Sequence, residues 1–205
     1  YTIEKKEVTA PVWSNTNLTY NGKEQVVTIT GMTGCINSSE KTALLNSLIY
    51  SGNNEKNAGT YTAYAEIPSD SNYFFSGTLT VDFTIAKKEL TANWSTVPFT
   101  YDGTEKTYLI TSLSGVQTGD DKNAILDAIL YTDHQATLAG TYTAKAELPD
   151  DSNYVLKAST TSKTFEIKKA KLNISLKTNS FTYDGTTHTV EVNMTGYAIG
   201  EETAV

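Results

Sequence analysis

The sequence has no arginine: its 16 cations are all lysines, set against 23 acidic residues, for a formal net charge of −7 over 205 residues. Nucleic acid is thereby disfavoured as a partner, because phosphate recognition draws on basic stripes and on the bidentate guanidinium fork. One cysteine, Cys35, excludes an internal disulfide, and with only His134 and His188 beside it the chain offers no cluster at metal-ligand spacing. No apolar run approaches the roughly 18 residues of a membrane-spanning helix, and no secretory leader pattern follows Tyr1. A first residue other than Met and a last segment that restarts a longer pattern lead us to expect a piece of a longer protein.

What the chain does have is threonine, tyrosine and 39% apolar residues, the composition of a folded, strand-rich protein. It also repeats itself. Tyr20, Tyr101 and Tyr183 open Tyr-(Asn/Asp)-Gly triplets at spacings of 81 and 82 residues. "NAGTYTAYAEIPSDSNY" (57–73) returns as "LAGTYTAKAELPDDSNY" (138–154), and "FTIAKKELTANW" (83–94) as "FEIKKAKLNISL" (165–176). A domain-sized period follows. We expect the end of a preceding repeat at 1–5, repeat domains at 6–87 and 88–169, and the first part of a third repeat at 170–205.

Within a repeat the periodicity changes in a fixed order. "ELTANW" and "KLNISL" alternate, giving a first strand with Leu172, Ile174 and Leu176 on one face. "KTYLITSL" (106–113) reads as a second strand. "DDKNAILDAIL" (120–130) and "EKTALLNSLI" (40–49) carry helical spacing, with Ala124, Ile125, Ala128 and Ile129, or Ala43, Leu44, Leu48 and Ile49, on the apolar face, and with Asp120 or Asp121 as N-cap. "GTYTAKAEL" (140–148) is a third strand with Tyr142, Ala144, Ala146 and Leu148 inward. "TLTVDFTIA" (78–86) is a fourth, turning Leu79, Val81, Phe83 and Ile85 inward. Strand, strand, helix, strand, strand predicts an α+β, mainly β class. The units are tandem β-grasp-like domains, each a four-stranded sheet with one short helix, in an elongated array. The alternative is an immunoglobulin-like sandwich in which "LIYSG" (48–52) is a strand. No Gly-, Ser- or Pro-rich linker separates the units, so the junctions "AKKEL" and "KKAKL" are expected to be short and stiff.

Tyr-(Asn/Asp)-Gly, "AGTYT", "SNY" and "FTI(A/K)KKxLT", four words in order at a fixed period, resemble the MBG and YDG-type repeats of bacterial cell-surface and secreted proteins. The resemblance spans nearly the whole chain, including Tyr101, Asp102, Gly103, Ala139 to Thr143, Asn153 and Tyr154. It implies a multi-repeat, adhesin-like protein on the bacterial surface or secreted, in which such domains form a stalk. It brings no catalytic residue, cofactor or metal. The partners it implies are neighbouring repeats of the same chain and, in a second reading where the repeats are themselves the adhesion module, a host glycan or protein.

Asp102 beside Gly103 is first of all a turn, as Asn-Gly and Asp-Gly supply positive φ, and no acid or base recurs with it. His134 and His188 are not equivalent by repeat and form no triad. "PSDSNY" and "PDDSNY" offer oxygens to Ca²⁺ but at no EF-hand spacing, and read as hairpin loops. Trp13, Tyr50, Tyr64, Tyr73 and Phe74 could stack on sugars if exposed, yet Trp13 and Trp94 recur at matching first-strand positions, as core residues do. Lys87, Asn72 and Glu66, recurring as Lys168, Asn153 and Glu147, have the residue types of an isopeptide cross-link, although the glutamates fall on the polar face. Sequons at Asn17, Asn37, Asn93, Asn173 and Asn193 arise readily in Thr- and Asn-rich strands. The expectation is a non-enzymatic stalk or spacer projecting a distal binding region.

Overall fold

In the computed structural model, which describes residues 1–177 and 180–201, the chain is mainly β, with two α-helices among the described residues. Alternation builds the central strands. Along Leu79–Ala86, Leu79, Phe83 and Ile85 are buried while Thr80 and Asp82 face out. The strand pairs antiparallel with Gly59–Glu66, Phe83 opposite Tyr61. Ser162–Lys168 pairs in the same way with Gly140–Glu147, Phe165 opposite Tyr142, and there Ala144 and Ala146 are buried between exposed Thr143, Lys145 and Glu147. These are the expected hairpins, with the expected faces.

One sheet per repeat, however, becomes several, two of them larger than a pair of strands in the second repeat. In the second repeat Lys88–Trp94 pairs antiparallel with Ile110–Ser114 and parallel with Tyr154–Leu156, a three-stranded sheet. A separate four-stranded sheet runs Phe99–Thr100, Ser162–Lys168, Gly140–Glu147, Leu130–Thr132. The physical cause is bending. The register of the first strand shifts at Asn93/Trp94, and the chain enters the other sheet at Phe99. The expected second strand also breaks, into Lys106–Thr107 and Ile110–Ser114. Tyr108 at that break fills the space between the sheets, stacked on Trp94 at 5.5 Å and on Phe165 at 4.8 Å. The Ile110 amide donates to the Tyr131 hydroxyl at 3.2 Å. Val27 takes the place of Tyr108 in the first repeat, where the Ile29 amide donates to Tyr50 at 2.9 Å.

The helix and the "LIYSG" strand, which the two sequence readings set against each other, are both present and follow one another: Ser38–Ser47 then Ile49–Ser51, and Lys122–Asp127 then Leu130–Thr132. Asn37 caps the first helix by accepting from the Glu40 amide at 2.9 Å, and Asp121 caps the second. The second helix is six residues rather than about ten. Ala43, Ala124, Ala128 and Ile49 were expected on the apolar face and are exposed. A short helix lying against the single strand Ile29–Thr33 or Ile110–Ser114 buries only a narrow stripe, and Leu44, Leu48 and Ile129 supply it.

Among the described residues no strand pairing crosses Lys87, the one residue between Leu79–Ala86 and Lys88–Trp94. Beyond residue 170, Asn173–Leu176 pairs antiparallel with Val192–Thr195, the counterpart of Lys88–Trp94 with Ile110–Ser114. Leu172, Ile174 and Leu176 are exposed there. Their equivalents Leu90, Ala92 and Trp94 are buried in a cluster that includes Leu156 and Phe165, from a part of the repeat that does not occur a third time in these 205 residues.

Candidate functional site

All three Tyr-(Asn/Asp)-Gly triplets fold alike. The second-position side chain accepts the amide two residues on, Asn21 from Lys23, Asp102 from Thr104 and Asp184 from Thr186, each at 2.9 Å. The glycine that follows holds φ of 77°, 83° and 79°, the left-handed region that a side chain disfavours. Asp102 also accepts from Lys106 Nζ at 2.5 Å and Thr104 Oγ1 at 2.6 Å, and these bonds, that of Lys106 foremost, hold its carboxyl far below the usual carboxylate range. Every one of these contacts is internal to the turn. Asp102 is therefore the residue that organises the turn.

The turn serves to present its tyrosine. Tyr20, 3% exposed, donates to Asp120 Oδ2 at 2.7 Å across 100 residues of sequence, and Tyr154 donates to the same oxygen at 2.5 Å. The two rings meet edge to face at 5.3 Å. Burial first, and then the Asp120 hydrogen bond, push both phenols up to about 12. For Asp120 burial acts the other way, yet the bonds from Tyr154 and Tyr20 outweigh it and its carboxyl lies below the ordinary value. A Cβ on Gly22 would stand 3.2 Å from Gln117 Cβ, so the turn glycine is also the surface on which the second repeat rests.

Beside this contact Asn153 makes a second. Its Oδ1 accepts from the Ala58 amide at 2.7 Å and its Nδ2 donates to Asn57 Oδ1 at 3.0 Å, while Tyr61 holds that loop by donating to the Asn57 carbonyl at 3.0 Å. The repeat words thus converge in space. Tyr-Asn-Gly and Asn-Ala-Gly-Thr-Tyr of the first repeat meet Ser-Asn-Tyr of the second around Asp120.

The arrangement occurs again 81 residues on. Tyr101 donates to the Glu201 carboxylate, also across 100 residues, and that bond is the main cause of its raised phenol pKa. A Cβ on Gly103 would stand 3.0 Å from Ala198 Cβ, in the relation of Gly22 to Gln117. From the sequence alone the triplet reads as a turn and Asp120 as a helix cap, and their meeting does not show. The signal was present in "TGDD" (118–121) and "IGEE" (199–202), acids at a constant offset from the tyrosines.

Other singled-out residues scatter. The His134 ring lies against Tyr131 at 5.2 Å, and His188 stacks on Phe181 at 4.7 Å with its Nε2 3.0 Å from Asp184 Oδ1. Among the described residues no group of three or more His, Cys, Asp or Glu is placed to hold a metal ion. "PSDSNY" and "PDDSNY" close as turns, Ser71 to Pro68 and Ser152 to Pro149, each at 3.0 Å. Of the candidate sugar-stacking aromatics, Tyr73 is buried and Tyr50 half-buried; Trp13, at the first-strand position of buried Trp94, packs half-buried against the core as that recurrence suggests, and Tyr64 and Phe74 are exposed. The isopeptide residues are not assembled. Lys87 Nζ donates to the Asp150 carbonyl at 2.6 Å, Asn153 is engaged at the inter-repeat contact, and Glu66, Glu147 and Asn72 are exposed. Cys35 packs half-buried at the edge of the first repeat's smaller core. No helix among the described residues is long and apolar enough to cross a membrane.

Comparison with protein-family models, with curated proteins and with solved structures returns no match for the chain. The chemistry of the site is that of attachment: two hydroxyl donors on one carboxylate and an asparagine bridge, between segments far apart in sequence.

Proposed function

We propose that the chain is a non-enzymatic stalk segment of a bacterial surface, adhesin-like protein. Its tandem β-grasp-like units are residues 6–87 and 88–169, with 170–205 opening a third, and they hold a distal binding region away from the cell. The observation that carries this reading is the repeated contact of a turn tyrosine with a carboxylate 100 residues downstream, which recurs at the repeat period. A motif kept for catalysis would gather its partners within one unit. This one spans two.

The strand order supports a mechanical role. In each repeat the last strand lies parallel to a short segment close behind the first: Thr84–Ala86 beside Asn17–Thr19, and Ile167–Lys168 beside Phe99–Thr100. Pulling the chain ends apart drags these parallel neighbours in opposite directions, so their hydrogen bonds are sheared together rather than opened in turn. Single-molecule stretching of the 205-residue chain tests this, with high-force unfolding events of one repeat each expected; smooth extension at low force would refute the stalk reading.

A second reading, in which the repeats themselves bind a host glycan or protein, has one observation in its favour. The first repeat carries a groove of about 670 Å³ beside Tyr64, 51% exposed, and Phe74, 40% exposed. The equivalent groove of the second repeat, about 570 Å³, has Lys145 in place of Tyr64. Glycan-array binding by the chain that is lost in Tyr64→Ala would favour this reading over the stalk.

A further inference from the structure

The first of the three turns carries a different acceptor from the other two. Asn21 stands where they have Asp102 and Asp184, and Asn21–Gly22 is the one Asn-Gly pair in the sequence. A glycine after asparagine leaves its own nitrogen unshielded, since no Cβ stands beside it to hinder attack on the asparagine side-chain carbonyl carbon.

The turn adds to this chemistry. Asn21 is exposed to water, and its Oδ1 accepts from the Lys23 amide at 2.9 Å, which folds the side chain back over the Gly22 peptide and polarises the carbonyl. The Gly22 amide donates to no group among the described residues, so no hydrogen bond has to break before its nitrogen reacts. Asn57 and Asn153 lack this freedom: Ala58 and Tyr154 follow them, and their side chains bridge to each other at 3.0 Å.

We propose that Asn21 is a site of spontaneous deamidation, and that the reaction acts on the contact between the two repeats. The Gly22 nitrogen bonds to Asn21 Cγ as the Cγ–Nδ2 bond breaks. The Gly22 amide proton, passed through water, leaves with the side-chain nitrogen as ammonia. Water then opens the five-membered imide at either carbonyl. Opening at Cγ gives aspartate on an ordinary backbone, the residue with which the other two turns accept the same amide at 2.9 Å. Opening at the main-chain carbonyl gives isoaspartate, whose backbone runs through the former side chain and is one carbon longer.

The two products differ at the contact. On one side of Asn21, Tyr20 donates to Asp120 at 2.7 Å; on the other, Gly22 lies so near the second repeat that an added Cβ would stand 3.2 Å from Gln117 Cβ. An extra backbone carbon between these anchors displaces one from its partner while the other holds. Isoaspartate therefore uncouples the repeats and aspartate does not. The step consumes only water and is not reversed once ammonia is lost.

Ageing the 205-residue chain in mildly alkaline buffer tests this, followed by intact mass, peptide mapping and enzymatic methylation of isoaspartate. The expected result is a gain of about 1 Da that maps to Asn21, with isoaspartate there, before any other asparagine reacts. Asn21→Gln, whose longer side chain closes the imide ring poorly, should slow the gain about tenfold or more. Calorimetry separates the products: the aged chain should develop two separated transitions, whereas fresh Asn21→Asp should melt like the fresh parent. No gain at Asn21, a gain that arises first at other asparagines, or an isoaspartate-rich chain that melts like the fresh parent overturns the proposal. The stalk reading does not depend on this outcome, since the Tyr101 contact and the parallel strand pairs do not include Asn21.

Discussion

Tyr20 and Asp120 stand 100 residues apart in sequence and 2.7 Å apart in space, and Tyr101 stands in the same relation to Glu201. The period that recurs in the sequence is therefore the period of a contact between repeats. Asp120→Ala would leave the hydroxyls of Tyr20 and Tyr154 without their acceptor, and bonds to a charged partner contribute about 1.5–3 kcal/mol. Loss of coupling between the repeats is expected, read as two separated thermal transitions where the parent shows one. An unchanged single transition would show that Asp120 contributes nothing to the coupling.

Gly103 carries two constraints, φ of 83° and a neighbour, Ala198 Cβ, 3.0 Å from any added Cβ. Gly103→Val should lower stability by about 1–2 kcal/mol from backbone strain alone, with further loss from the displaced contact. Differential scanning calorimetry checks this. A variant that melts like the parent would remove the turn assignment.

Alkali should loosen the contact before it unfolds the strands. Tyr20 and Tyr154 are raised from 10.0 to about 12, so their neutral forms are favoured in the folded chain. That contribution is whole below pH 10 and is lost as the pH rises through about 12. Asp120 is shifted downward, so its share is whole above the ordinary carboxylate value and is lost as the pH falls below it. Denaturant titrations across this range should show the alkaline fall flattened in a Tyr20→Phe, Tyr154→Phe double variant. A parent whose stability is flat to pH 12 would contradict the assignment.

Leu90 is fully buried in the strand that begins one residue after the junction, and it belongs to a core that includes residues of both repeats. Leu90→Ala should cost about 2–5 kcal/mol, measured by the urea midpoint. A loss under 1 kcal/mol would place the core elsewhere.

The scattered placement of Lys87, Asn72 and Glu66 predicts no isopeptide cross-link. Intact-mass analysis should return the mass of the unmodified sequence. A deficit of one ammonia per repeat would overturn this.

Legibility in the sequence followed the range of the interactions. Strand faces were readable because burial alternates locally: Phe83 and Ile85 inward, Lys145 and Glu147 outward. The break at Tyr108 was not, since a strand that bends to serve two sheets keeps its β-branched and aromatic composition, and only the stacking on Trp94 and Phe165 distinguishes it. The helical face was half right, because spacing marks the stripe but not how little of it one strand covers. For the candidate site, the words were legible and their meeting was not: Asn153 looked like a loop residue because its partners, Asn57 and Ala58, lie in another repeat.

Small-angle scattering of the 205-residue chain beside its Asp120→Ala variant tests the central claim most directly. Docked repeats joined through Lys87 predict a radius of gyration well above the roughly 17 Å of a single compact domain of this length, with a sharply bounded maximum dimension that blurs in the variant. A parent near 17 Å, or a variant whose profile superposes on that of the parent, would contradict it.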